Sequence, residues 1–232
     1  MNIALILSGG TGARMGSDIP KQYIKIQERP IISYCIERLS HHKEIHGIQI
    51  VAHTQWHDLI KECLRAQDLS GKFRGFSQPG ANRQLSILHG LEDIRLYARD
   101  ADRILVHDAA RPLLSKQMVS DCIEAAEGHD GAVPVLPMKD TVYRSEDGKT
   151  ITALLNREQI FAGQAPEIFR LDAYYEANQR LLPEKILKIN GSTEPAILAG
   201  MDIAMIPGDE TNFKITTKAD LKRFQKIMEA SG

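Results

Sequence analysis

The residues best suited to chemistry sit in four stretches, each after a short apolar run. The first is Ser8-Gly9-Gly10-Thr11-Gly12-Ala13-Arg14-Met15-Gly16, followed by Pro20-Lys21-Gln22. Glycine lets backbone N–H groups approach a ligand with no Cβ in the way. A row of such N–H groups makes an anion nest, and Arg14 and Lys21 add full charges to it. A phosphate chain is the simplest ligand for that combination. The dinucleotide pattern G-x-G-x-x-G does not fit, because its third glycine would fall on Met15 and Gly16 comes one place late; no Gly-Lys-Ser/Thr follows either. A plain strand-to-helix turn stays open for the glycines taken alone, but such a turn needs no paired cations.

The second stretch is Asp108-Ala109-Ala110-Arg111-Pro112, after Arg103-Ile104-Leu105-Val106-His107. A carboxylate at the carboxyl end of a strand, beside a phosphate loop, is a natural Mg²⁺ ligand. Ala109 and Ala110 leave room for a flat ring or a sugar, and Arg111 can make a bidentate phosphate contact. The competing reading is an Asp108–Arg111 pair that merely holds the turn. The third stretch, Gly80-Ala81-Asn82-Arg83 to Ser86, opens a helix with a basic residue, or is an ordinary capped turn. The fourth runs from Gly208 to Thr216, and its Lys214 is either a further phosphate cation or an exposed lysine. No nucleophilic serine or cysteine has a matched histidine, and no paired carboxylate stands out. His41, His42, His46, His53 and His57 have no carboxylate or cysteine interleaved at metal-ligand spacing, and Trp56 reads as packing. One carboxylate and several cations suit phosphoryl or nucleotidyl transfer, where positioning and charge neutralisation supply most of the rate.

These loops need a scaffold that puts them on one edge. Strands are predicted at Asn2 to Leu7, Ile45 to Val51, Phe73 to Phe76, Arg103 to His107, Gly131 to Leu136 and Met201 to Ile206. Helical spacing covers Pro30 to Leu39, Asp58 to Leu69, Leu85 to Ile94, Ser115 to Ala126 and Leu171 to Leu182. Thr193-Glu194-Pro195 reads as a hydroxyl-capped helix start and Thr217-Lys218-Ala219-Asp220 as a capping box. The alternation predicts an α/β fold: a Rossmann-like, mostly parallel sheet with helices on both faces. In such a sheet all four loops open on the carboxyl edge. Asp140 to Arg144 and Thr150 to Leu154 flank Asp147-Gly148, which predicts a β-hairpin with no place in the main core. It reads as a projecting arm, at about 139–160, that pairs with another subunit, or as a local surface flap, in either case within a single domain spanning 1–232.

Composition narrows the function further. The 232 residues are 43% hydrophobic and 25% charged, with a formal net charge of -1, so no global field attracts nucleic acid or an acidic membrane. No apolar run approaches a membrane span, and no secretion signal is evident, which points to the cytoplasm. Cys35, Cys63 and Cys122 are widely spaced and read as reduced thiols.

Ser8 to Gly16 with Pro20-Lys21-Gln22 resembles the signature of CTP-dependent cytidylyltransferases acting on polyol phosphates, a family that includes methylerythritol-phosphate and ribitol-phosphate enzymes. Val106 to Pro112, Lys139-Asp140-Thr141 and Asn212 to Thr217 resemble further motifs of that family, in order along nearly the whole chain. The resemblance implies CMP transfer from CTP with Mg²⁺ as cofactor. Ser8, Gly9, Gly10, Thr11, Gly12, Arg14 and Lys21 would hold the triphosphate, with Arg14, Lys21 and Lys214 catalytic. Gly80 and Ser86 would contact cytosine, supported by Arg83, and Ala109 would lie by the ribose. Asp108 would ligate the metal. Arg111, Thr193 and Lys214 would face the acceptor, and Thr141 and Arg157 would reach a neighbouring subunit's site from the arm of a homodimer. Methylerythritol phosphate is the favoured acceptor and ribitol phosphate the alternative. Two departures lie on the acceptor side: Gln164-Ala165-Pro166-Glu167 stands where the family has Gln-Thr-Pro-Gln, and Thr193-Glu194-Pro195-Ala196 where it has a Thr-Asp-Asp-Ala type stretch. They leave room for a catalytically silent nucleotide sensor. A dinucleotide oxidoreductase is disfavoured by the glycine spacing and by Ala52-His53-Thr54, which puts no acid at the end of the second strand.

Overall fold

The computed structural model describes residues 1–10, 19–66 and 68–230. In chain order the strands are β1 (Asn2–Leu7), β2 (Lys25–Ile26), β3 (Arg29–Pro30), β4 (Gly47–Val51), β5 (Phe73–Ser77), β6 (Arg103–Asp108), β7 (Gly131–Pro137), β8 (Val142–Arg144), β9 (Ala153–Leu155), β10 (Phe161–Gly163), β11 (Glu167–Arg170) and β12 (Ile203–Pro207). The helices are α1 (Ile31–Ser40), α2 (His57–Ala66), α3 (Arg83–Arg95), α4 (Lys116–Ala125), α5 (Leu171–Gln179), α6 (Glu194–Leu198) and α7 (Lys218–Ala230).

β1 lies centrally because both of its faces are apolar. Ala4 and Ile6 pack with Ile32 and Ile36 of α1, Ile60 of α2 and Val119 of α4. Ile3 and Leu5 pack with Ile87 and Leu91 of α3 and Tyr174 of α5. Alternate side chains of a strand point to opposite faces, so one apolar run fills two helical layers. Gly90 lets α3 lie close to the sheet: a Cβ there would sit 2.5 Å from Leu5 Cδ1.

Among the described residues the main sheet has eight strands, in the order β10-β7-β11-β6-β1-β4-β5, with β12 also on β7. β4 and β6 run parallel to β1, and β5 parallel to β4. β11 is antiparallel to both β6 and β7, which makes β7 parallel to β6, and β12 is parallel to β7. The mostly parallel α/β sheet is therefore as expected, and the segments after β1, β5, β6 and β12 open on one edge.

The local signals mostly act as predicted. Asn82 and Ser115 cap α3 and α4, accepting from the N–H groups of Leu85 and Met118. At α7 the Asp220 carboxylate accepts from the N–H groups of Thr216 and Thr217, and Thr217 Oγ1 accepts from Asp220 N–H. Trp56 stacks on Tyr23 with ring centroids 4.2 Å apart. Other features differ. Thr193 does not cap α6 with its side chain. α5 ends at Gln179, short of Leu182. The arm's strands β8 and β9 pair antiparallel, but over three residues each. Asp147 organises the loop between them, accepting from the N–H groups of Lys149 and Thr150, so the turn is wider than a two-residue one. The β2–β3 hairpin was not foreseen: Gln27 and Glu28 adopt φ of 48° and 62°, a left-handed turn without the usual Asn or Gly.

Candidate active site

A cleft of about 570 Å³ opens on the carboxyl edge of the sheet. Gly9, Gly10, Lys21, Gly80, Arg83, Ser86, Asp108, Ala109 and Lys214 line it. Nine residues singled out by type and spacing thus meet in one place, although they come from four separate loops. Thr11, Gly12 and Arg14 lie outside the described residues.

One wall is backbone. Gly9 and Gly10 leave β1 and are held from behind by Gln22, whose Nε2 donates to the carbonyls of Ser8 (2.9 Å) and Gly10 (2.7 Å). The Tyr23 hydroxyl also donates to Ser8 O, at 3.0 Å. Ser8 itself is turned inward: it is buried, and its hydroxyl meets Tyr23 at 2.8 Å. Its hydroxyl is thus engaged in the support of the loop. A Cβ on Gly9 would lie 2.7 Å from Pro79 Cβ, so the first loop packs directly on the third. In that third loop Gly80 N–H donates to Ser86 Oγ at 2.9 Å, and Ser86 Oγ donates to Asn82 O at 2.8 Å. A Cβ on Gly80 would sit 2.3 Å from Leu85 Cβ and 2.7 Å from the Leu85 carbonyl carbon, which excludes any other residue without a backbone shift. The shelf so formed is largely main chain, and Ala109 lines the same cleft.

The other wall is charged. Asp108 ends β6 with both carboxylate oxygens engaged: Oδ1 with Arg83 Nη2 at 3.0 Å, and Oδ2 with Lys214 Nζ at 2.8 Å. Burial would raise this carboxyl, but Arg83 and Lys214 outweigh it and hold it well below the usual carboxylate range. Arg111 Nε stands 3.9 Å from Oδ2, a weaker contact. Its Nη1 donates to Asn212 O at 2.5 Å, and the side chain is largely buried. Arg111 is not among the cleft's lining residues, and one of its N–H groups is taken by a carbonyl 101 residues away. His107, just before Asp108, is fully buried, and burial pushes its pKa down to about 4, so it is neutral near pH 7; a ring Nε2 lies 3.1 Å from Arg111 O.

The remaining expected residues lie elsewhere. Thr193 is not among the cleft's lining residues, and its hydroxyl donates to Glu167 Oε2 at 3.1 Å. Thr141 and Arg157 belong to the exposed arm, where Arg157 Nη1 donates to Lys139 O at 2.9 Å. The first loop's neighbour His53 does line the cleft, whereas His42 turns to Ser120 and His57 stacks on Phe76.

Sequence reasoning missed the residues that hold these walls. Asn212 donates to Ala165 O at 2.8 Å, and Gln164 pairs with both backbone groups of Asp209. Each is a buried amide satisfying main chain 45 or more residues away, and no local pattern marks such a partner. Asn82 was the exception with a signal, a cap residue before a helical run.

As a metal site the cleft offers one carboxylate. Among the described residues no three His, Cys, Asp or Glu side chains cluster for a metal. A single hard oxygen ligand at a phosphate site fits Mg²⁺, which commonly takes one or two carboxylates and completes its shell with substrate phosphates and water.

Comparison with known proteins agrees in kind. The family described as IspD, 2-C-methyl-D-erythritol 4-phosphate cytidylyltransferase, matches residues 2–230. A bifunctional enzyme IspD/IspF of Granulibacter bethesdensis is 35% identical over 98% of this chain, which spans only 56% of that longer protein. A ribitol-5-phosphate cytidylyltransferase of Streptococcus pneumoniae is 32% identical, covering 99% of both chains. Among solved structures, a 4-diphosphocytidyl-2C-methyl-D-erythritol synthase from Anaerococcus prevotii superposes with a TM-score of 0.83 at 24% identity, over 98% of this chain and 96% of the other.

Proposed function

The chain belongs to the 2-C-methyl-D-erythritol 4-phosphate cytidylyltransferase family, and from that premise we propose that it transfers CMP from CTP to a polyol phosphate and releases pyrophosphate. The observation that carries this reading is the pairing of a neutral, backbone-built shelf with a charged wall centred on Asp108 in one cleft. Cytosine rests on the Gly80–Ser86 shelf with the ribose by Ala109. The triphosphate lies along Gly9 and Gly10 toward Lys21.

In the step proposed, an oxygen of the acceptor's phosphate attacks the α-phosphorus of CTP in line. A new P–O bond forms, the bond from the α-phosphorus to the bridging oxygen breaks, and pyrophosphate takes the electron pair. A phosphate nucleophile is already ionised at neutral pH, so no general base is required. Lys21, with Arg14 of the same sequence motif, stabilises charge that grows on the α-phosphate. Asp108 would hold Mg²⁺, which neutralises phosphate charge when bound. Its hold on Lys214 positions that ammonium at the boundary between nucleotide and acceptor.

The favoured acceptor is 2-C-methyl-D-erythritol 4-phosphate, which the family's description supports and which places the enzyme in isoprenoid precursor synthesis. Ribitol 5-phosphate is the second reading, supported by the pneumococcal relative matched along its full length. The arm presents Tyr143, Ile151 and Leu154 to solvent at 55%, 66% and 67% exposure, an apolar surface suited to a second copy of the chain. In such a homodimer Thr141 and Arg157 would approach the partner's acceptor site. Among the described residues no helix is long and apolar enough to cross a membrane, and the three buried cysteines are free thiols, which favours a cytoplasmic setting. Pyrophosphate release from CTP, measured with each of the two polyol phosphates and Mg²⁺, tests the reading. One acceptor should support turnover; silence with both would favour a nucleotide sensor.

A further inference from the structure

His53 lines the cleft, yet the step proposed above gives it no part. It stands just past the end of β4, and its side chain is exposed to the cleft. Among the described residues its imidazole has no hydrogen-bond or ion-pair partner. The main chain that carries it is held from several sides. Val51 O accepts from Ser8 N–H at 2.8 Å, and Ala52 N–H donates to Ser77 O at 3.1 Å, which ties this strand end to both neighbouring strands. The His57 ring places Nε2 3.0 Å from Ala52 O. Trp56 N–H donates to His53 O at 2.9 Å, and the Trp56 ring stacks on Tyr23. A polar ring fixed in this way over a cleft, with its own nitrogens unused, is available to a ligand.

Sheet order decides which part of the ligand it meets. β4 lies between β1 and β5, whereas Asp108 ends β6 on the other side of β1. Neighbouring strands are spaced by about 4.8 Å, so the ends of β4 and β6 stand about 10 Å apart. His53 therefore belongs with the first and third loops, which meet where a Cβ on Gly9 would lie 2.7 Å from Pro79 Cβ. It is on the side of the nucleobase, away from the ionic wall around Asp108.

We propose that His53 is a base-reading residue, whose imidazole accepts a hydrogen bond from the exocyclic amine of cytosine. The inference rests on the function proposed above and deepens it, because it adds a side chain from β4 to a base site otherwise made by the first and third loops. A neutral imidazole offers one nitrogen as acceptor and the other as donor. The 4-amino group is the donor that marks cytosine, where uracil carries a carbonyl. A site that hydrogen-bonds a substrate N–H disfavours the analogue that lacks it, since the acceptor is then left without its partner. His53 lies on the opposite side of β1 from Asp108, so its role is confined to nucleotide binding and leaves the chemical step alone.

The test compares CTP with the triphosphate of the pyrimidin-2-one riboside, which is CTP without the 4-amino group. Wild type, His53→Ala and His53→Gln are assayed for pyrophosphate release with Mg²⁺ and whichever polyol phosphate is turned over. Wild type should lose about tenfold in kcat/KM with the analogue, the size of one hydrogen bond. His53→Ala should lose about tenfold with CTP, all of it in the CTP KM, and should discriminate between the two nucleotides by no more than about twofold. His53→Gln, whose amide oxygen can accept, should recover most of the discrimination. In both variants kcat, the acceptor KM and the thermal midpoint should stay near wild type, which a merely structural role would not predict. Equal use of the two nucleotides by wild type, undiminished discrimination in His53→Ala, or a loss in His53→Ala that falls equally on both nucleotides would overturn the inference while leaving the transferase reading intact. Absence of wild-type turnover of CTP with both polyol phosphates would instead overturn the transferase reading, and this inference with it.

Discussion

The two walls of the cleft are built by opposite means. The shelf from Gly9 to Ser86 presents main chain, and side chains such as Gln22 and Ser86 hold its carbonyls and N–H groups in place. The wall around Asp108 presents side chains, each fixed by another charge: Arg83 at 3.0 Å and Lys214 at 2.8 Å. A backbone shelf fits the invariant parts of a nucleotide, since its shape is set by loop geometry and is costly to change. An ionic wall is easily retuned by one substitution. The departures from the family pattern, at Ala165, Glu167, Glu194 and Pro195, lie outside the residues that line the cleft and leave the shelf alone.

If this division is right, damage to the two walls should have different kinetic signatures. The largest effect is expected for Asp108→Asn, which removes the common partner of two cations and the proposed metal ligand; turnover should drop by about three decades in a pyrophosphate-release assay. Lys21→Ala should come next, with kcat down by about two to three decades, the usual loss for one donor to developing phosphate charge, and little change in thermal midpoint. Gly80→Ala should act the other way. Its Cβ would meet Leu85 Cβ at 2.3 Å, so overpacking of about 1–3 kcal/mol should appear in urea unfolding, with a raised CTP KM. Gln22→Ala should be the mildest, removing two hydrogen bonds to the first loop and costing about 1–2 kcal/mol, again with the loss in CTP affinity ahead of kcat. A shelf variant that lowered kcat while sparing the CTP KM would break the comparison.

The same contrast explains what could be read from the chain beforehand. Strands β1, β4 and β6 are mainly apolar runs followed by small or polar residues, and their local pattern announces both the strand and the loop beyond it. Once the parallel order is inferred, the meeting of the loops on one edge follows. The supports are another matter. Arg111 is spoken for by Asn212, 101 residues on, and Thr193 by Glu167, 26 residues back. Such bonds depend on which strands become neighbours: β11 lies antiparallel between β6 and β7, an interruption that no periodicity reveals. The support of Ser8 is of the same kind: its hydroxyl donates to Tyr23, 15 residues on, whose ring stacks on Trp56. The β2–β3 turn at Gln27-Glu28 escaped because its residues carry none of the usual preference for positive φ.

The most direct measurement is the initial rate of pyrophosphate release with Mg²⁺, a polyol phosphate and each of CTP, UTP, ATP and GTP, run on wild type and on Lys21→Ala. The account predicts turnover with CTP far above the other nucleotides, a CDP-polyol as the second product, and a rate for Lys21→Ala about two to three decades lower. Equal rates with all four nucleotides, or a Lys21→Ala enzyme as fast as wild type, would contradict it.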